Sequence, residues 1–223
     1  MYCNLGIHTD LTLGRSAIRF KHLKGMQFDS PMAICDNGNM SQMVKSLLLN
    51  KMNIPAVELY IVQSYADKSR PNAVARFFAS DLQGYESLCK MVEIAARNKY
   101  YSPRLEINDI ILDGDVTAIV DEDFIFLEEF PREKTFVAVN AESNLANPVY
   151  LRNNPIFYYD SYALHQSDLG IIELLSARQF KHETKCWYYD LSHFAAASMI
   201  QGAVENYCAL CSRPHTKEIS GLE

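Results

Sequence analysis

Four polar clusters in this 223-residue chain sit where apolar runs end or are interrupted. His8 lies in Ile7-His8-Thr9-Asp10, and Asp36 lies in Cys35-Asp36-Asn37-Gly38-Asn39 after the apolar run 32–35. Glu58 is embedded in the apolar run 56–62, and Asp160 follows the run 156–159. His, Asp and Glu hold divalent ions, and a bound ion makes a water molecule nucleophilic near neutral pH. Polar groups at the carboxyl ends of parallel strands converge on one face of an α/β sheet or barrel, where active sites of such folds lie. Each cluster also has a plainer reading. His8 suits a hydrogen-bonded strand end, Asp36-Asn37-Gly38-Asn39 suits a turn and helix N-cap, and Asp160 suits a cap before Ser161-Tyr162. Glu58 resists such a reading, because a carboxylate in a buried strand needs a cation or several donors.

A second candidate is Cys208-x-x-Cys211, with Cys186 and His215 as further donors for a zinc ion. It is the weaker signal, because the pair falls in a helical pattern where Tyr207, Leu210 and Cys211 form a core face. No phosphate-binding loop, GxGxxG, GxSxG or HExxH occurs, so those nucleotide and hydrolase motifs give no support.

The elements that must position these residues alternate. Runs 32–35 and 56–62, bounded by Pro31 and Pro55, read as buried strands. Between them Met40, Met43, Val44, Leu47 and Leu48 recur at helical spacing, with Ser41 as the expected cap. Strand, helix and strand with short connections predict a parallel βαβ unit. Further strands are predicted over 75–79, 116–120, 124–127, 136–139 and 156–159. Helices are predicted over 82–96, 167–178 and 192–212, with Asp113-Gly114-Asp115 as a turn. No linker or repeat divides the chain, so a single α/β domain over 1–223 is expected.

Composition narrows the partners. Apolar residues make up 48% and charged residues 22% of the chain, ordinary globular usage that excludes a disordered tail or a rod. Twenty-one Lys+Arg against twenty-seven Asp+Glu leave a formal charge of −6. There is no strong nucleic-acid signal, although Arg15, Arg19, Lys21 and Lys24 group loosely and leave room for a local basic patch. No apolar run reaches the ~20 residues of a membrane helix. The N-terminus does not read as a signal peptide, and the irregularly spaced cysteines fit a reduced, cytoplasmic protein.

Five segments in order resemble the PHP (polymerase and histidinol phosphatase) domain of bacterial DNA polymerase III alpha subunits. His8-Thr9-Asp10-Leu11-Thr12-Leu13 is similar to that family's HxHSDYSLLDG, and Ile34-Cys35-Asp36-Asn37-Gly38-Asn39-Met40 to its TDHGNM. Asn53-Ile54-Pro55-Ala56-Val57-Glu58-Leu59-Tyr60 resembles GIKPIIGCEVY. The segment 79–88 resembles AKNxxGYxNL, and Tyr100-Tyr101-Ser102-Pro103-Arg104-Leu105 resembles YYKPRI. The resemblance covers about residues 5–105 and 155–211, with a shortened middle. It implies a distorted (βα) TIM-like barrel, incomplete if the short middle lacks strands.

The resemblance also implies a site of two or three zinc or manganese ions that cleaves phosphoesters. Carried over position by position, His8, Glu58 and Asp160 keep their ligand types, while Gly6, Arg15, Asn37, Val74 and Tyr162 stand where the family has donors. A further ligand falls near residues 121–123. Three survivors of eight describe a remnant metal site that is empty, with no cofactor, and Arg15 is expected to pair with Glu58 or Asp160 in the metal's place. The expectation is a non-catalytic PHP-like module contacting a protein partner, a replication protein by resemblance. Trp187, Tyr188 and Tyr189 are candidate contacts, or else pack on the last helix. The alternative is a metal-dependent phosphoesterase or 3′–5′ exonuclease using His8, Glu58 and Asp160 with zinc or manganese, and Asp36 as base or as a partner behind the ligands.

Overall fold

The structure, a computed structural model, describes residues 4–12, 15–25, 31–50, 52–69, 73–140, 143–168, 170–172, 174 and 195–212. Strand β1 (Asn4–Ile7) leads through α1 (Phe20–Gly25) to β2 (Met32–Ile34), and β2 leads through α2 (Ser41–Leu49) to β3 (Ala56–Val62). β1 and β2 pair in parallel, and a parallel bridge joins Asn37, just beyond β2, to Glu58 in β3. The strand–helix–strand order of the predicted unit is present, but β2 and β3 lie in separate sheets joined by that single parallel bridge. Asn39, rather than Ser41, organises the start of α2: its Oδ1 accepts from the Ser41 backbone N–H at 2.9 Å and from Ser41 Oγ at 2.8 Å. A short polar side chain two residues back competes effectively for those donors.

β4 (Ala73–Ala79) returns antiparallel to β3, and α3 (Leu82–Arg97) follows it. Asp81 caps α3, accepting from the Gly84 N–H at 2.7 Å, and Leu88, Met91 and Ala95 carry its buried face. β5 (Arg104–Glu106) pairs in parallel with the end of β3, and β6 (Val116–Val120) pairs antiparallel with β4. β7 (Thr135–Val139) and, after the short α4 (Val149–Arg152), β8 (Asn154–Phe157) add in parallel. The result is a mixed six-stranded sheet in the order β5-β3-β4-β6-β7-β8, with α5 (Ala203–Ser212) packed on β8. β3 is buried along its whole length and β4 at all but one residue, which is why both read as continuous apolar runs.

The small β1–β2 sheet is tied to the large one on both sides. The His8 N–H donates to Ser161 O at 3.0 Å and the Ser161 N–H to Gly6 O at 2.7 Å. On the other side the Gly38 N–H donates to Glu58 O at 2.8 Å and the Glu58 N–H to Asp36 O at 3.2 Å. These four bonds bring the ends of β1, β2 and β8 against the middle of β3.

Two predicted elements differ. Residues 124–127 form no strand; they enter successive tight turns and a 3₁₀ turn, Leu127–Glu129. Phe124, Phe126 and Phe130 converge there, with ring centroids 5.2–5.9 Å apart, so the alternation of apolar residues reflects turns and not a pleat. The predicted helix 192–212 is interrupted at 198–202, where Gly202 takes φ +86°, a conformation glycine adopts freely. A 3₁₀ turn, Gln166–Asp168, and helical residues 170–172 and 174 represent the predicted helix 167–178; residues 169, 173 and 175–178 lie outside the described residues. No helix among the described residues is long and apolar enough to cross a membrane.

Candidate functional site

β1 ends at Ile7 and the chain turns immediately, because Asp36 captures the next segment. Its Oδ1 accepts from the Thr9 N–H at 2.6 Å and from Thr12 Oγ1 at 2.9 Å, and its Oδ2 accepts from Thr9 Oγ1 at 2.6 Å. Ser16 Oγ adds a bond to the His8 carbonyl at 2.6 Å. These contacts hold His8 fully buried at the sheet end, with the Tyr162 ring stacked on it at 4.5 Å and 20°.

Around His8 gather the two other ligand-type residues expected from the sequence. His8 Nε2 lies 2.8 Å from Asp160 Oδ1 and 4.0 Å from Glu58 Oε2, and one donor atom from each of the three falls within 4.8 Å of the others. The structure thus brings together His8, Glu58 and Asp160, which are 152 residues apart at the extremes. Asp36 is adjacent and buried, and both its oxygens accept from Thr9 and Thr12, so it holds the loop that carries His8.

Cations occupy the space between the carboxylates. Arg15 approaches Glu58, Nη1 to Oε1 at 3.6 Å, donates to the Tyr60 hydroxyl, and lies over the Tyr60 ring. This is the pairing with Glu58 expected for Arg15. The more central cation is Arg76, which the sequence reading missed. Its Nη2 donates to Asp160 Oδ2 at 2.6 Å, its Nη1 to Asp121 Oδ1 at 2.9 Å, and its Nε stands 3.7 Å from Glu58 Oε2. The guanidinium also lies 5.2 Å from the Tyr158 ring centroid. The resemblance puts a metal-ligand position at Val74, which shares a strand face with Arg76. The available signal was a lone cation within the apolar run Ala-Val-Ala-Arg-Phe-Phe-Ala, which needs a buried partner as much as Glu58 does.

The substituted positions are themselves engaged. Asn37 Nδ2 donates to Glu58 Oε1 at 3.1 Å, and the Tyr158 hydroxyl, another residue the sequence reading missed, donates to Asp160 Oδ1 at 2.6 Å. Gly6 has no room for a side chain: a Cβ there would press on the Tyr159 carbonyl oxygen and lie 2.8 Å from the Tyr158 hydroxyl. Within the site, two buried side-chain atoms of the described residues lack hydrogen bonds, Glu58 Oε2 and Arg76 Nε, and they face each other.

The proton equilibria follow from this packing. Burial alone would lower the pKa of His8, but the Asp160 charge and hydrogen bond, with Glu58 and Asp36 behind them, outweigh it and raise the value. Burial alone would raise that of Asp160, but Arg76 and His8 hold its carboxyl well below the usual carboxylate range. For Asp36, burial prevails over its hydrogen bonds from Thr9 and raises the value. Burial opposes the charge on Arg76, and the carboxylates of Asp121 and Asp160 more than restore it.

Of the second candidate, Cys208 is exposed and Cys211 is buried on α5, both as free thiols. Cys186 and His215 lie outside the described residues, as do Trp187, Tyr188 and Tyr189. Comparison of the sequence with models of known protein families finds no match. Comparison with curated proteins likewise finds no match.

Proposed function

We propose that this chain is a PHP-like module, related to the corresponding domain of DNA polymerase III alpha subunits, in which guanidinium groups stand where the related enzymes hold metal ions. Its role on this reading is structural: a cytoplasmic protein that binds a protein partner of the replication machinery rather than hydrolysing a phosphoester. The five ordered motifs support the family, and the hydrogen bonds that link β8 through β1 and β2 to β3 support a distorted barrel. The observation that carries the loss of catalysis is the position of Arg76, in contact with Glu58, Asp160 and Asp121 at once.

The donor set does not fit a divalent ion. An ion taken up by Glu58 and Asp160 would sit ~4 Å from a guanidinium hydrogen-bonded to Asp160 and ion-paired with Glu58, a repulsion of roughly 8 kcal/mol at an effective dielectric of about 20. That offsets roughly half or more of the about 10–16 kcal/mol with which small zinc sites bind. His8 Nε2 is already engaged with Asp160 at 2.8 Å, a contact an ion would have to displace. Two guanidinium charges and the Tyr158 hydroxyl already engage the carboxylates that an ion would otherwise neutralise.

The competing reading, a metal-dependent phosphoesterase or 3′–5′ exonuclease with zinc or manganese on His8, Glu58 and Asp160, draws on one observation. Glu58 Oε2 is buried without a hydrogen-bond partner and lies within ligand range of His8. Calorimetric titration with Zn²⁺ and Mn²⁺, together with hydrolysis of a chromogenic phosphodiester, separates the two. The structural reading expects no stoichiometric binding and no turnover. One or two ions bound tightly, with turnover lost in His8→Ala, would falsify it.

A further inference from the structure

The outward face of α2 is apolar where a free-standing surface helix would be polar. Val44 and Leu48 recur at i and i+4, the spacing of one helix stripe, and Met52 follows in the turn just past the end of α2. They are 40%, 82% and 56% exposed, with Leu49 beside them at 44%. Packing does not demand them: Met43 and Ser46 supply the buried face of α2, and Leu47 rests on the core from its flank.

The surroundings of this stripe are positive. Lys45 lies on α2 within the stripe and reaches over the Phe20 ring of α1, its Nζ 6.0 Å from the ring centroid, so α1 borders the same surface. Arg19 precedes α1, and Lys21 and Lys24 lie on it, all three exposed. None of these four cations forms an ion pair with a described residue. Among the described residues from Arg15 to Met52 the one carboxylate is Asp36, which is buried. On a chain with a formal charge of −6, this is a local inversion of sign joined to an apolar stripe.

We propose that α2 and the lysine rim of α1 form a docking surface for an amphipathic helix of a protein partner, one whose apolar stripe is flanked by Asp and Glu. Leucine-type side chains of the partner would cover Val44, Leu48, Leu49 and Met52, and its carboxylates would meet Lys45, Lys21, Lys24 and Arg19. The apolar contact supplies affinity and the flanking charges supply register and partner choice. This surface is built from the crossover helices and does not involve His8, Glu58 or Arg76. It therefore stands or falls apart from the reading of the site, although it rests on that reading for its place in a binding module.

The test is fluorescence anisotropy of the full chain with a labelled helical peptide carrying leucines at i, i+4 and i+8 between glutamates. The matched control peptide carries lysines in place of the glutamates. The acidic peptide is expected to bind in the micromolar range, more weakly as salt is raised. Affinity should fall at least about tenfold in Leu48→Asp, at the centre of the stripe, and less steeply in Lys45→Glu. Circular dichroism should leave both variants folded, since both side chains are exposed. Equal binding of the lysine peptide would overturn the proposal. So would binding confined to anionic phosphatidylglycerol vesicles or single-stranded DNA, or a dimer of the chain that Leu48→Asp dissociates.

Discussion

Glu58 and Arg76 are direct cross-strand partners in the antiparallel pair β3–β4, and Oε2 and Nε stand 3.7 Å apart between them. Neither atom has a hydrogen bond of its own. Their side chains leave the same face of the sheet, so the strand register alone sets an acid against a base in the interior. The remaining nitrogens of Arg76 then reach outward to Asp160 and Asp121, which makes one guanidinium the hub of three carboxylates. A metal would have required those oxygens to converge on a point; Arg76 instead spreads them along a planar fork.

Removing that hub has a predictable cost. Arg76→Met leaves Glu58 and Asp160 buried with Arg15 and His8 as their only cations, and breaking a buried pair by removing one partner costs about 3–5 kcal/mol. Urea unfolding should show that loss, and Arg76→Met combined with Glu58→Gln should recover part of it. An additive double variant would mean the two side chains do not interact.

The same substitution bears on metal binding. If Arg76 and Arg15 exclude the ion by charge, the variant Arg76→Ser with Arg15→Ser should gain zinc affinity over the parent chain by at least about tenfold, the effect of only ~1.4 kcal/mol of relieved repulsion. Calorimetry at neutral pH reads this directly. Unchanged affinity would show that lost donors, and not added cations, disable the site.

Stability should depend on pH from both sides. Asp160 is held below its unfolded value of about 3.9, so its contribution is present above that pH and is lost as acid protonates it. His8 is held above its unfolded value of about 6.5, so its contribution is complete below that pH and is lost as the pH rises through its folded value. Urea unfolding between pH 3 and 9 should therefore fall away at both ends. Asp160→Asn should flatten the acid limb, and it should also weaken the alkaline limb, because the charge that raises His8 is gone.

Much of this arrangement could be read from the chain before any coordinates. Glu58 announced itself as a carboxylate within a strand, and Pro31 and Pro55 bounded the strand–helix–strand unit that places it beside Asp36. Arg76 carried the same kind of signal, yet its role was hidden because the resemblance drew attention to Val74, and only the β3–β4 register reveals which residue faces Glu58. The duty of Asp36 was equally hidden, since its partners Thr9 and Thr12 are 24–27 residues away in sequence. Residues 124–127 misled for a different reason: a period of two is shared by strands and by tight turns that fold alternate rings together.

Gly6 is a position where no side chain can simply be introduced. The family pattern has a His at this position, but the Tyr158 hydroxyl and the Tyr159 carbonyl fill the volume any side chain would need. The Tyr158 hydroxyl is held there by its bond to Asp160, and the carbonyl belongs to the stretch that leads to the Ser161 pairing with β1. Relief would require moving backbone, not rotating a side chain. Gly6→Ala should accordingly destabilise the fold by about 2–3 kcal/mol, the upper part of the range for overpacking. Tyr158→Phe should not rescue it, because the carbonyl clash remains. A Gly6→Ala protein with unchanged urea midpoint would show that the β1–β8 junction yields more readily than its hydrogen bonds imply.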